Sequence, residues 1–269
     1  MRKSMVMLLL VILLSFCLGS PVIAGPEIDS ILKKGELTVG TSGTYPPLTA
    51  KTKDGKLMGL DIDISGVIAA SMGVKLKMVS LPFDELLPAL ESGKIDLIIS
   101  NMTITPKRNL KVAFVGPYLV SGQSLLTSKE VAISVNKPED INKPDFTLAV
   151  PRGTTSEMIA KQLLPKVGLT ITKSTDEAVQ LLMKEKVKAV MLDYPLCKTL
   201  EFRYKDRGVF ATPPFSFEPI GIALRGDDPL FTNLLENVLN MISNNGALNM
   251  MKRSWFEDAA WMKDLPDTD

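Results

Sequence analysis

Short apolar runs alternate with helix-patterned stretches along this chain, twice over, and that alternation leaves few folds open. In the first set Leu37 to Gly40, Lys75 to Val79 and Ile95 to Ile99 read as strands, and Leu60 to Met72 and Phe83 to Glu91 as helices. The helix from 60 to 72 carries Leu60, Ile64, Val67, Ile68 and Met72 at the spacing that buries one stripe. In the second set Phe146 to Val150, Leu169 to Thr172 and Val187 to Leu192 are strands, with helices at Ser156 to Leu164 and Ala178 to Lys184. A parallel neighbour can be reached only through a crossover, so repeated strand–helix–strand units predict mostly parallel sheets flanked by helices.

The two sets predict two lobes. Val115-Gly116-Pro117-Tyr118-Leu119-Val120 is an extended link between them, and Phe217-Glu218-Pro219-Ile220-Gly221 is the way back. The first lobe is then 25–117 with 220–269, the second 118–219, and the cleft between them is spanned by a two-strand hinge. A last strand, Ile220 to Leu224, and helices at Pro229 to Ser243 and Leu248 to Phe256 complete the first lobe. Helix starts are marked by Thr154 with Glu157 and Ser174 with Glu177 at capping-box spacing, and by Thr105 before Pro106.

Residues 1–24 read as an export signal. Arg2 and Lys3 precede the apolar run Met5 to Leu14, and Val22-Ile23-Ala24 offers a small-residue cleavage site. The run is too short for a comfortable membrane span. Lipid attachment at Cys17 is disfavoured by the bulky Phe16 before it. This places the mature protein in the periplasm. The signal holds two of the 31 basic residues and none of the 30 acidic ones, so the mature chain is close to neutral. Nothing in that balance asks for nucleic acid or an anionic membrane.

The chain has no histidine, which removes Ser-His-Asp and Cys-His catalysis and histidine-based zinc sites. With Cys17 in the signal, Cys197 stands alone, and no internal disulfide is expected. Cys197 reads as a buried structural residue, with a reactive thiol as the alternative. The methionines read as core filler, so neither metal nor cofactor is expected.

Binding chemistry gathers at polar turns that follow strands. Ser100-Asn101-Met102-Thr103-Ile104-Thr105-Pro106-Lys107-Arg108 joins a strand end to a helix start and an arginine, an arrangement suited to a carboxylate. Arg108 is either that clamp, helped by Thr103, or a solvated surface charge beside Lys107 and Lys111. Arg152-Gly153-Thr154-Thr155-Ser156 is either an anion grip or only a helix cap, and it lacks the spacing of a nucleotide-phosphate loop. Asp193 ends a strand, and either holds an ammonium group or caps the next helix. Tyr45 and Phe83 could stack on a ligand or belong to the core, the core reading being stronger for Phe83. The acidic pairs Asp61/Asp63 and Asp84/Glu85 fall at helix starts, where they favour the dipole, so catalysis is not expected of them.

Three groups of residues carry a family resemblance: Leu37-Thr38-Val39-Gly40-Thr41 with Gly59-Leu60-Asp61-Ile62-Asp63; Pro88-Ala89-Leu90, Ile95-Asp96-Leu97-Ile98-Ile99 and Thr103-Ile104-Thr105-x-x-Arg108; and Lys252-Arg253-Ser254-Trp255-Phe256. In this order, over essentially the whole mature chain, they resemble the periplasmic solute-binding proteins that feed polar amino acids to ABC transporters. The resemblance implies a monomer that binds a small amino acid by cleft closure and meets the transporter's permease subunits. It assigns the ligand's α-carboxylate to Arg108 and Thr103, with Thr154 and Thr155 completing the grip from the second lobe. It assigns the α-ammonium to Asp193, with Asn101 on the same side, and the side-chain walls to Tyr45 and Phe83. Ser42 stands where many members that prefer basic amino acids carry aspartate, which weakens a lysine or arginine assignment. Arg152 beside the pocket either favours an acidic side chain or points away. The same family contains cyclohexadienyl dehydratases, which this chain is similar to around Thr41-Ser42-Gly43-Thr44-Tyr45 and Gly153-Thr154. The glutamate that supplies the proton in that branch is matched by Leu196, so an enzyme is not expected. Presentation of the ligand to a chemoreceptor is the remaining alternative.

Overall fold

The computed structural model describes residues 25–135 and 137–267. The expected export signal, with Cys17, lies outside them.

The chain opens with α1 (Pro26–Lys34) and β1 (Glu36–Thr41), then β2 (Thr44–Tyr45), β3 (Thr49–Lys51), β4 (Leu57–Met58) and α2 (Leu60–Ser71). It continues through β5 (Lys75–Ser80), α3 (Phe83–Glu91), β6 (Leu97–Ile98), α4 (Pro106–Asn109) and β7 (Ala113–Ser121). The second half begins with β8 (Gln123–Ser128), α5 (Lys129–Ser134), β9 (Thr147–Pro151), α6 (Thr155–Leu163), β10 (Gly168–Thr172) and α7 (Thr175–Met183). It ends with β11 (Ala189–Asp193), α8 (Tyr194–Arg203), β12 (Val209–Ala211), β13 (Glu218–Leu224), α9 (Pro229–Asn244) and α10 (Ala247–Phe256).

Two five-stranded sheets form, one per lobe, in the orders β5-β1-β6-β13-β7 and β10-β9-β11-β8-β12. Each has a parallel triplet, then one reversed strand, then a strand that runs with the triplet. The reversed strand is in each case the one that enters from the other lobe. β7 leaves the first sheet and continues into β8 of the second, and β13 returns beside β7, with Glu218 opposite Ser121 and Pro219 opposite Val120. These paired strands are the hinge, and the sequence boundaries at 117/118 and 219/220 fall inside them.

The inner parallel strands are covered on both faces, so they read as continuous apolar runs. Leu97, Ile98 and Ile99 are buried, as are Ala189 to Leu192. Leu60, Ile64 and Ile68 of α2 pack into the same core as Leu37 and Val39 of β1. The caps hold α6 and α7 in place: Glu157 N donates to Thr154 Oγ1 at 3.2 Å, and Glu177 N to Ser174 Oγ at 3.2 Å. Each N-terminal glutamate reaches back one residue further than the simple box, to Gly153 N and Lys173 N.

The expected helix at Thr105 is a single turn. Thr105 caps it by accepting from Arg108 N, but the chain must enter β7 by Ala113, which leaves no room to propagate. The strand expected from 95 to 99 pairs only over Leu97–Ile98. The small sheet β2-β3-β4 is an addition to the expected elements.

Candidate functional site

The polar turns converge because they all follow the carboxyl ends of strands, where open α/β sheets bind ligands. Ser42 follows β1, Asn101 follows β6, Arg152 follows β9 and Asp193 ends β11. Together they line a cleft of about 430 Å³ between the two sheets. Tyr45, Phe83, Thr103, Arg108, Thr154 and Thr155 line it too, so the structure brings every sequence-predicted site residue to one cavity.

Arg108 is buried, not a solvated surface arginine. Its Nη1 donates to the carbonyl of Thr103 at 2.7 Å, and Nη2 to the carbonyl of Gly153, across the cleft, at 3.1 Å. The guanidinium carbon lies 5.5 Å from the centre of the Phe83 ring, a cation–π distance. Burial pulls this guanidinium down to about 10, against the opposing charges of Glu218 and Asp193. It remains charged at neutral pH.

Asp193 forms the opposite pole. Tyr45 Oη donates to its Oδ2 at 2.7 Å and Asn101 Nδ2 to the same oxygen at 2.9 Å. Gln123 Nε2 donates to Oδ1 at 3.0 Å, and the backbone N–H of Asp193 donates back to Tyr45 Oη at 2.9 Å. Burial pushes this carboxyl up to about 6. The Tyr45 bond opposes that rise, the Glu218 charge adds to it, and Asn101 and Arg108 oppose it. Asp193 also stands at the N-cap position of α8, where its side chain makes no capping bond.

The cleft therefore presents a desolvated cation and a desolvated anion from opposite lobes. Neither is fully compensated by protein, because Arg108 is met by carbonyls and Asp193 by neutral donors. A buried charge is costly unless paired. A small molecule bearing both a carboxylate and an ammonium would pair both.

Several contributors escaped the sequence reading. Gln123 lies at the start of β8 and links Asp193 to the α6 cap: its Nε2 also donates to Thr155 Oγ1 at 3.2 Å and its Oε1 accepts from Ser156 Oγ at 2.6 Å. Asp61, expected only to favour the helix dipole, is fully buried. It accepts from Asn101 N at 2.9 Å and from Tyr118 Oη at 2.7 Å, and burial pushes it up to about 7. Asn101 has φ of 49°, left-handed for a residue with a side chain, a conformation asparagine tolerates better than most. Asp61 holds that turn from behind while the Asn101 side chain faces Asp193. Gly153 has φ of +77°, and a Cβ there would lie 3.0 Å from the Cβ of Asp84 in the opposite lobe. The Thr154 hydroxyl donates to the carbonyl of Pro151 at 2.7 Å while capping α6, so it is engaged within its own turn.

Two expectations about burial change. Tyr45 is more buried than Phe83, the reverse of the expected order, because Tyr45 crosses the cleft to Asp193. Cys197 is buried with its thiol facing the carbonyls of Leu192 and Ser124, and burial pushes that thiol up, so a reactive role is rejected. Asp84 and Glu85 are exposed at the start of α3, as a dipole role requires. Leu196 is buried in the apolar core of its lobe and supplies no proton.

The chain matches known proteins along most of its length. It is similar to the crystal structure of an ancestral amino acid-binding protein described as a precursor of cyclohexadienyl dehydratase, with 38% identity, TM-score 0.79, and 85% of this chain and 99% of that chain covered. It is also similar to the binding component of an ABC transporter from Wolinella succinogenes solved with lysine, at 36% identity and TM-score 0.82, covering 86% and 99% of the two chains. The cyclohexadienyl dehydratase of Pseudomonas aeruginosa is 26% identical over 237 residues, 86% of each chain. The sequence profile of the bacterial extracellular solute-binding proteins, family 3, matches residues 37–258. With two lobes, a two-strand hinge and a polar cleft between them, this chain belongs to that family.

Proposed function

We propose that the protein captures a zwitterionic L-amino acid outside the cytoplasm, by closing its cleft, and delivers it to an ABC transporter. The observation that carries this reading is the pair of buried opposite charges, Arg108 and Asp193, facing one cavity from opposite lobes. In this reading Arg108, with Thr103 and the α6 turn at Thr154 and Thr155, takes the α-carboxylate. Asp193 and Asn101 take the α-ammonium, while Tyr45, Phe83, Ser42 and Arg152 surround the side chain.

Closure follows from linkage. One ligand that touches both lobes binds the closed form better than the open one and shifts the population toward it. The rotation falls on the β7–β13 pair, with lobes divided at 117/118 and 219/220 and Gly116-Pro117 and Pro219 to Gly221 absorbing it. The export signal over 1–24 puts this binding in the periplasm, where the loaded monomer meets the permease subunits. A dehydratase needs a positioned acid. Asp193 is the one carboxylate among the described residues that line the cleft, and its bonds suit an ammonium.

The test is a thermal-shift panel on mature protein refolded to remove carried cargo. It holds the common L-amino acids, prephenate and arogenate at equal concentration. A ligand at about 100 times its dissociation constant adds about 2.7 kcal/mol, enough to raise the midpoint visibly. A shift with one or a few amino acids is expected. A shift with prephenate or arogenate alone would overturn the binding-protein reading in favour of the enzyme.

A further inference from the structure

With the α-groups met by Arg108 and Asp193, the remaining charge in the cleft has one sign. Lys51, Arg152 and Lys173 all line it, and no second carboxylate joins Asp193 among the described lining residues. The three come from different elements. Lys51 ends β3 of the first lobe. Arg152 and Lys173 follow β9 and β10 of the second.

Their placement is specific. β9 and β10 pair in parallel with Pro151 opposite Thr172, so Arg152 and Lys173 leave adjacent strand ends side by side, and Arg152 N donates to the carbonyl of Thr172 at 3.0 Å. Two like charges leaving adjacent strand ends repel each other. Lys51 stands on the other wall: a Cβ added at Gly43 would lie 3.3 Å from Lys51 Cε and 3.3 Å from Ser80 Oγ. That puts its ammonium end by the Ser42–Gly43 turn.

The nearby carboxylates are committed elsewhere. Glu157 binds Lys161 and Gly153 N, and its charge also reaches Arg152 without a direct ion pair. Glu177 accepts from the backbone N–H of Lys173 at 2.7 Å. In the adjoining groove that shares Lys51, Asp176 is offset by Arg203 and Asp267 by Lys53. Among the described residues none of the three cleft cations has an ion-pair partner.

From this one-signed lining, which rests on the amino-acid reading above, we infer that the cargo is an acidic amino acid whose side-chain carboxylate is held between Lys51 and the Arg152–Lys173 pair. A carboxylate there relieves the repulsion between Arg152 and Lys173. It also draws Lys51 toward the opposite lobe, so the side chain reinforces closure. A cationic side chain would enter a basic end with no carboxylate to receive it. Phe83 already carries the Arg108 guanidinium on one ring face, which limits it as a platform for a second cation.

The experiment is calorimetric titration of cargo-free mature protein with glutamate, aspartate, glutamine, asparagine, arginine, lysine and glutarate. Glutamate or aspartate should bind at least about tenfold tighter than its amide, the discrimination that one well-met charge supplies. The preference should shrink as ionic strength rises, since these cations are exposed at the rim. K173A, R152A and K51A should each narrow the gap between acid and amide, and the triple variant should close it. Amides or cationic amino acids binding as tightly as the acids would overturn this inference and leave the amino-acid reading standing. Failure of every amino acid, or tighter binding of glutarate than of glutamate, would overturn both.

Discussion

The two poles of the cleft are built from different materials. Arg108 is fixed by backbone: its guanidinium donates to the carbonyls of Thr103 and Gly153, which persist whatever side chains stand there. Asp193 is fixed by side chains, those of Tyr45, Asn101 and Gln123. Arg108 carries its specificity in its own atoms, whereas the Asp193 pole is a network whose members can be removed singly. The cationic pole should thus fail all at once, and the anionic pole by degrees.

The largest effect should come from Arg108→Ala. It removes the only cationic partner proposed for the α-carboxylate, and binding should weaken by about 3 kcal/mol or more, on the order of a hundredfold. Unfolding followed by circular dichroism should still show a cooperative transition; unchanged affinity would break the assignment. Asp193→Asn should cost about 2–3 kcal/mol for amino acids, and less for analogues that lack the ammonium. Equal losses for both classes of ligand, measured by titration, would remove Asp193 from its role.

Gly153→Val tests the point where second-lobe backbone holds Arg108 of the first lobe. A Cβ there meets Asp84 across the cleft and must also adopt a left-handed backbone. Strain of about 1–2 kcal/mol is expected, together with a roughly tenfold loss of affinity. Scattering of the loaded protein should show incomplete closure. Tyr45→Phe removes two of the bonds at Asp193, the one donated to Oδ2 and the one accepted from its N–H, and should cost about 1–2 kcal/mol.

The effect of pH has opposite signs for stability and binding. Asp193, facing Tyr45, Asn101 and Gln123 under the charges of Glu218 and Arg108, titrates at about 6. Asp61, facing Tyr118 and the Asn101 backbone, titrates at about 7. Both values lie above the unfolded aspartate value of about 3.9. The folded state takes up these protons first, so their contribution makes unliganded protein more stable as pH falls from about 7 to about 4, and less stable as it rises. Binding of an ammonium needs the Asp193 carboxylate and should weaken through the upper part of the same window. Midpoints and titrations at matched pH values check both trends.

The legible parts of the sequence were those with a period or a cap. Phe83 to Glu91 forms a helix over the expected residues, and the Thr154 and Ser174 caps sit where their glutamates announced them. Strands of two or three residues carry no alternation to read, so β2, β4 and β12 were invisible, and β8 is buried on both faces without a clear period. Residues of strong chemistry at strand ends, such as Arg108 and Asp193, could be found as cleft-lining residues. Gln123 and Asp61 could not, because their roles depend on which strand lies beside which. Gly153 was seen as a turn residue, but its contact with Asp84 exists only once the lobes face each other.

The most direct test of the central claim is calorimetry on cargo-free protein with the tightest-binding amino acid, its deaminated acid and its decarboxylated amine. A cleft that closes between Arg108 and Asp193 should bind the intact amino acid at least about a hundredfold more tightly than either derivative, since each leaves one buried charge unmet. A derivative lacking one α-group that binds as well as its parent would show that this pair of charges does not hold the ligand.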